Sequence, residues 1–130
     1  MDTNVLVSAL KSKSGASHLF LRKFLMGDIG LVLSLPVYRE YWEITERESL
    51  NLNQESRTQI LRALIKFSKP TDIHFKWRPF LRDESDNMVL ELAIAANADI
   101  VTHNKKDFHD VQENFNVRIL SPKEAIDECR

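Results

Sequence analysis

The stretch Arg82–Phe108, RDESDNMVLELAIAANADIVTHNKKDF, limits the possible folds more than any other part of the chain. Its middle, Met88 to Ala96, is apolar on nearly every face of a helix, which predicts a helix buried from several sides. Asp83, Glu84 and Asp86 lie just before it or at its start. Asn97-Ala98 is a fitting stop, because Asn is common at helix C-termini. Ile100-Val101 then reads as a short buried strand, and Thr102-His103-Asn104 leaves its C-terminal end. An open α/β fold places its ligand where polar helix N-termini and strand C-termini meet.

The rest of the chain alternates helices with short apolar runs. Asp2-Thr3-Asn4 is turn-prone, the kind of triplet that ends a strand, yet only Met1 precedes it. Either a strand begins almost at the terminus, or the first strand is truncated there. Asp2 would then sit beside a mobile terminal ammonium, and each lost apolar side chain would cost about 1.5–3 kcal/mol. Val5 to Leu10 reads as a helical turn. Ser14 and Ser17 are candidate caps for a helix to about Met26, with Leu19, Phe20, Phe24 and Leu25 inward.

Leu31-Val32-Leu33 suits a buried parallel strand, and a helix from Pro36 to Glu48 follows. In that helix Glu40 shares the face of Val37, Tyr41 and Ile44, so its carboxylate needs a partner. Asn53 is expected to cap a helix to Phe67 that Pro70 closes off, with Ile60, Leu61, Leu64, Ile65 and Phe67 as its apolar positions. A strand is expected at Asp72–Phe75 and a loop at Pro79. Asn116 to Leu120 reads as an edge strand. Ser121-Pro122-Lys123-Glu124 spells a capping box. The alternation predicts an α/β fold: a three-layer α/β/α sandwich on a parallel, mostly four- to five-stranded sheet, in one domain over 1–130.

Composition narrows the classes. A chain of 130 residues with 43% hydrophobic and 28% charged residues is an ordinary globular domain. A net charge of −1 argues against binding nucleic acid by bulk charge. The single Cys129, the lack of a long apolar run and the lack of a leader-like start predict a cytoplasmic protein without a membrane span. GxGxxG, GxxxxGK and nucleophile-elbow motifs are all missing, and no Cys or His has zinc spacing.

Four acids follow a predicted strand or sit early on the next helix: Asp2, Glu40, Asp86 and Asp107. A parallel sheet brings such positions to one edge. Carboxylates gathered there repel one another, and a hard divalent cation with oxygen ligands relieves the conflict. The reaction class that follows is metal-assisted phosphodiester hydrolysis.

These residues resemble the PIN domains, and within them the VapC-like toxin nucleases. The resemblance spans nearly the whole chain. It rests on Asp2-Thr3-Asn4-Val5-Leu6, on Leu33-Ser34 followed by Glu40, on Asp83-x-x-Asp86-Asn87 opening a helix with Ala93, and on Thr102-His103-Asn104-Lys105-Lys106-Asp107-Phe108. It implies that Asp2, Glu40 and Asp86 ligate a metal directly or through water. Asp107 or Asn104 would fill the fourth position, and Asp83 would be an auxiliary acid. Asn4 and Thr102 would orient carboxylates or the scissile phosphate. It further implies an Mg²⁺- or Mn²⁺-dependent endoribonuclease, the toxin of a toxin–antitoxin pair, with an RNA substrate, a small antitoxin partner and a homodimer.

Each residue also has an ordinary alternative. Asp86 could answer only to the helix dipole and Asp83 only cap the helix. Glu40 could pair at the surface, Asp107 cap a turn, Asn104 occupy a left-handed turn and Asp2-Thr3-Asn4 fray. His103 and His109 suit solvent. Lys11, Lys13, Arg22, Lys105 and Lys106 could touch phosphates, and Trp77 and Phe80 could stack a base or pack inward. A catalytically inactive PIN fold that binds RNA or protein is the alternative to the enzyme.

Overall fold

The computed structural model describes residues 1–48, 52–73, 81 and 83–129. Trp77, Phe80 and Pro79, and the second half of the strand expected at Asp72–Phe75, lie outside them. The described chain runs α1 (Thr3–Lys11), α2 (Ala16–Leu25), β1 (Val32–Leu33), α3 (Leu35–Arg47), α4 (Gln54–Phe67), β2 (Lys69–Pro70), α5 (Glu84–Ala96), β3 (Ile100–Val101), α6 (Val111–Phe115), β4 (Ile119–Leu120) and α7 (Pro122–Asp127). A 3₁₀ turn, Lys105–Phe108, follows β3. The class is α/β, and both strand pairings are parallel.

The described residues do not form one four- to five-stranded sheet. They form two pairs, β1 with β2 and β3 with β4. Ile100 and Thr102 donate toward β4, so the Val101 carbonyl faces the other way and accepts from Asp2 N at 2.8 Å. Met1-Asp2 adds that one ladder bond beside β3, too little to bridge to β1. A cavity of about 300 Å³ is bordered by Met1, by Leu31 and Val32 at the first pair and by Val101 at the second. Met1 itself is not a mobile end. It is 7% exposed, belongs to the core, and its carbonyl accepts from the Tyr41 hydroxyl.

A strand forms at Lys69–Pro70, ahead of the stretch expected from Asp72, and Asp72 and Ile73 are in no strand. Pro70 is tolerated there because the donors to β1 are its neighbours. Lys69 N and Thr71 N reach Leu31 O and Leu33 O, each at 2.8 Å.

Two apolar clusters fill the interior. One gathers Val5, Leu6, Phe20, Phe24, Val37, Tyr41 and Leu64; the other gathers Leu90, Ile100, Phe108, Val111 and Ile119. Helix α5 divides them: Leu92 belongs to the first cluster, and Val89, Leu90 and Ala93 to the second. That placement explains an apolar surface all round the helix. Each fully buried side chain such as Leu90 or Leu64 contributes about 1.5–3 kcal/mol.

Some inward assignments were wrong in helical phase. On α2 the buried set is Ser17, Phe20, Leu21 and Phe24, a single stripe, which leaves Leu19 and Leu25 exposed. Gly15, not Ser14 or Ser17, caps that helix, without a side-chain bond. On α3 the buried position is Thr45 rather than the half-buried Ile44. On α4 the stripe is Arg57, Ile60, Leu61 and Leu64, so Ile65 and Phe67 face out.

Candidate functional site

Asp2 is fixed before any ligand arrives. It is 5% exposed and caps α1, its Oδ1 accepting from Thr3 N at 2.8 Å. Its Oδ2 accepts from Thr102 Oγ at 2.7 Å. Thr102 lies just past β3 with no exposed surface, and its hydroxyl is fully used. It donates to Asp2 and accepts from Asn104 N at 3.0 Å and Asn4 Nδ2 at 3.4 Å. Asn4 Oδ1 in turn accepts from His103 N at 3.3 Å. Asp2, Asn4, Thr102 and Asn104 thus form one network tying the start of α1 to the end of β3.

Asp86 enters from the first turn of α5, where Asp83 is the N-cap and accepts from Ser85 N at 2.8 Å. Burial, then the charges of Asp2, Asp83 and Asp107, push the Asp86 carboxyl up from its ordinary 3.8 to about 7. Burial also raises Asp2, against the Thr102 and Thr3 hydrogen bonds and the terminal ammonium that favour its charged form; Asp107 adds to the rise. Asp107, exposed on the 3₁₀ turn, is therefore within electrostatic reach of both. Three sequence-distant carboxylates share one field.

Glu40 reaches the same helix turn by another route. Its Oε1 accepts from Ser85 Oγ at 2.7 Å, one residue before Asp86. Asn104 has φ −115°, so it is not in the left-handed turn considered for it. His103 is exposed, yet its Nε2 is bonded to the buried hydroxyl of Ser17. Ser85 and Ser17 went unremarked as site residues in the sequence, since a lone Ser on a helix carries no distinguishing pattern. Of the expected phosphate contacts, Lys11 pairs with Glu48 at 3.0 Å and Lys105 with Glu124 at 2.9 Å.

A divalent cation suits this donor set by chemistry: the groups are oxygen donors whose charges repel one another. Among the described residues, no three acidic, His or Cys side chains stand close enough to hold a metal ion as they are. Asp2 is immobilised, whereas Asp86 is half-buried and Asp107 exposed, so those two have room to turn toward a shared ion.

Among the described residues, no helix is long and apolar enough to cross a membrane. Comparison with curated proteins and with solved structures finds no match. A family model described as PIN domain matches residues 1–106, a stretch that includes Asp2, Glu40, Asp86 and Thr102. PIN domains are in general metal-dependent nucleases. By sequence, and with an α/β fold that agrees, the chain belongs to the PIN domain family.

Proposed function

We propose that the protein is an endoribonuclease that hydrolyses RNA phosphodiester bonds with Mg²⁺ or Mn²⁺, acting as the toxin of a toxin–antitoxin pair. The observation that carries this reading is the charge stress on Asp86, a half-buried carboxyl raised to about 7 by burial and by three neighbouring carboxylates. A bound divalent cation supplies positive charge and Lewis acidity at the phosphate. Asp2, Asp86 and Asp107 would hold it once the latter two turn toward it, with Glu40 and Asp83 at the margin of the set. Thr102 acts through Asp2, because its own hydroxyl has no capacity left for substrate. Asn4 and Asn104, bonded into the same network, keep the α1 start and the β3 end at a fixed separation.

A homodimer and a small antitoxin belong to the same proposal. Exposed Leu35 and Trp42 on α3, and Ile65 and Phe67 on α4, support an interface on those helices. The second reading, an idle PIN fold that binds RNA or protein, draws on the lack of a ready-made metal cluster among the described residues. The deciding experiment compares cleavage of single-stranded RNAs in Mn²⁺, with and without chelator, by wild type and by Asp86→Asn. Metal-dependent cleavage lost in the variant supports the enzyme. Equal cleavage by both removes Asp86 from the mechanism, and no cleavage by either favours the binding module.

A further inference from the structure

A second cavity, of about 420 Å³, opens where α1, α2 and α4 meet. Its walls are Leu10, Leu21 and Ile60, one from each helix. The α2 side is the i, i+3, i+4, i+7 stripe that begins at His18 and includes Arg22. The rim is cationic. Lys13 and Arg22 border it with the His18 ring beside them, and among the described residues no Asp or Glu does. The side chains of Lys13 and Arg22 have no ion-pair or hydrogen-bond partner among the described residues. His18 is held in place: its Nδ1 donates to the Ala9 carbonyl at 3.2 Å, since a carbonyl only accepts.

Apolar walls under a rim of one sign suit a ligand with an apolar face and a negative group. The volume falls within the range of small-ligand pockets, about 300–1,000 Å³. Position narrows the class further. Ser17, the residue before His18, bonds His103 at the carboxylate site. Helix α2 advances about 1.5 Å per residue, so the cavity begins within one helical turn of that contact. A strand of RNA lying across Asp2 and Asp86 would reach the cavity with a neighbouring nucleotide.

We infer that this cavity is a subsite for one nucleotide flanking the cut. The base lies against Leu10, Leu21 and Ile60, the phosphate faces Lys13 and Arg22, and the amide of Gln59 meets the base edge. The identity of the ligand rests on the nuclease reading; the apolar and cationic character rests on the cavity alone. An acidic amphipathic peptide is the competing occupant.

The test measures binding of a short fluorescent single-stranded RNA to the full chain in chelator, so that cleavage plays no part. Arg22→Glu and Gln59→Trp, both at exposed positions, are compared with Lys123→Glu, which makes the same charge change as Arg22→Glu on α7. Arg22→Glu is expected to weaken binding ~10-fold and lower the salt slope by about one, and Gln59→Trp to weaken it without changing that slope. Lys123→Glu is expected to change affinity less than ~2-fold. Equal losses in Arg22→Glu and Lys123→Glu would mean bulk charge and overturn the subsite. Displacement of RNA by polyglutamate with Gln59→Trp silent would indicate a peptide groove and overturn it too. If wild type cleaves no RNA while Arg22→Glu still loses binding, the nuclease reading falls, and with it the place beside a cut, while the cavity stands as a nucleotide-binding site. If wild type cleaves RNA but Arg22→Glu binds it like wild type, the subsite alone falls.

Discussion

At the seam of α3 and α4 Arg57 is only 6% exposed, and its guanidinium is well served. Its Nε donates to Thr45 Oγ at 2.8 Å, one Nη to the Trp42 carbonyl at 2.9 Å, and the other pairs with Glu46 at 2.9 Å. The group also lies 5.1 Å from the centre of the Trp42 ring. At the start of α5 the opposite holds. Asp86 is half-buried, and the charges it feels from Asp2, Asp83 and Asp107 all have its own sign. Burying a charge is costly in both places, but only the first is offset by the chain's own groups. The first is therefore structural. The second is what a fold retains when a ligand is to complete it.

This contrast can be broken by experiment. Arg57→Ala removes its packing on Trp42 and its bonds to Thr45 and the Trp42 carbonyl, while Glu46 stays solvated, and should lower stability by about 2 kcal/mol, read from urea melts. Cation affinity of the folded variant should not change. A loss below about 1 kcal/mol would mean that the seam is no better satisfied than the surface. Asp86→Asn should do the reverse, lowering RNA cleavage by about 100-fold or more, roughly 2.7 kcal/mol, while the fold stays intact.

Titration sharpens the same comparison. The folded Asp86 carboxyl binds its proton more tightly than an unfolded one, so metal-free stability falls as pH rises from about 4 to about 7. With screening allowed for at a half-exposed group, the loss is about 1–2 kcal/mol. Asp86→Asn should remove it, making the metal-free variant the more stable protein at pH 8 in thermal melts. The smallest effect belongs to a surface pair. Lys105→Ala breaks the exposed contact with Glu124 and should cost less than about 0.5 kcal/mol.

Local signals in the sequence were legible because they act over a few residues. Asn53, Asp83 and Ser121 cap their helices as read, the Ser121–Glu124 box closes, and Asn97 ends α5 at φ 52°. The order of Asp2, Glu40, Asp86 and Asp107 along an alternating pattern also let their convergence be expected: Asp86 feels the charges of Asp2 and Asp107, and Glu40 bonds Ser85 beside it. What escaped was tertiary. Helical phase on α2 hung on whether Ser17 or Leu19 faces inward, and a contact with His103 that is 86 residues away settles it. Arg57 reads as a surface cation until Thr45 and Trp42 come into view. The hydroxyl that meets Glu40 belongs to Ser85, whose role depends on how α3 crosses α5. Strand β2 contains a Pro, which argues for a strand end in isolation and is harmless only given the β1 register.

The most direct test follows the Asp86 carboxyl carbon by NMR as pH is varied, first in chelator and then in saturating Mg²⁺. The account predicts a midpoint near 7 without metal and a clear fall when the cation is present. A midpoint near 3.8 that Mg²⁺ leaves unmoved would contradict it.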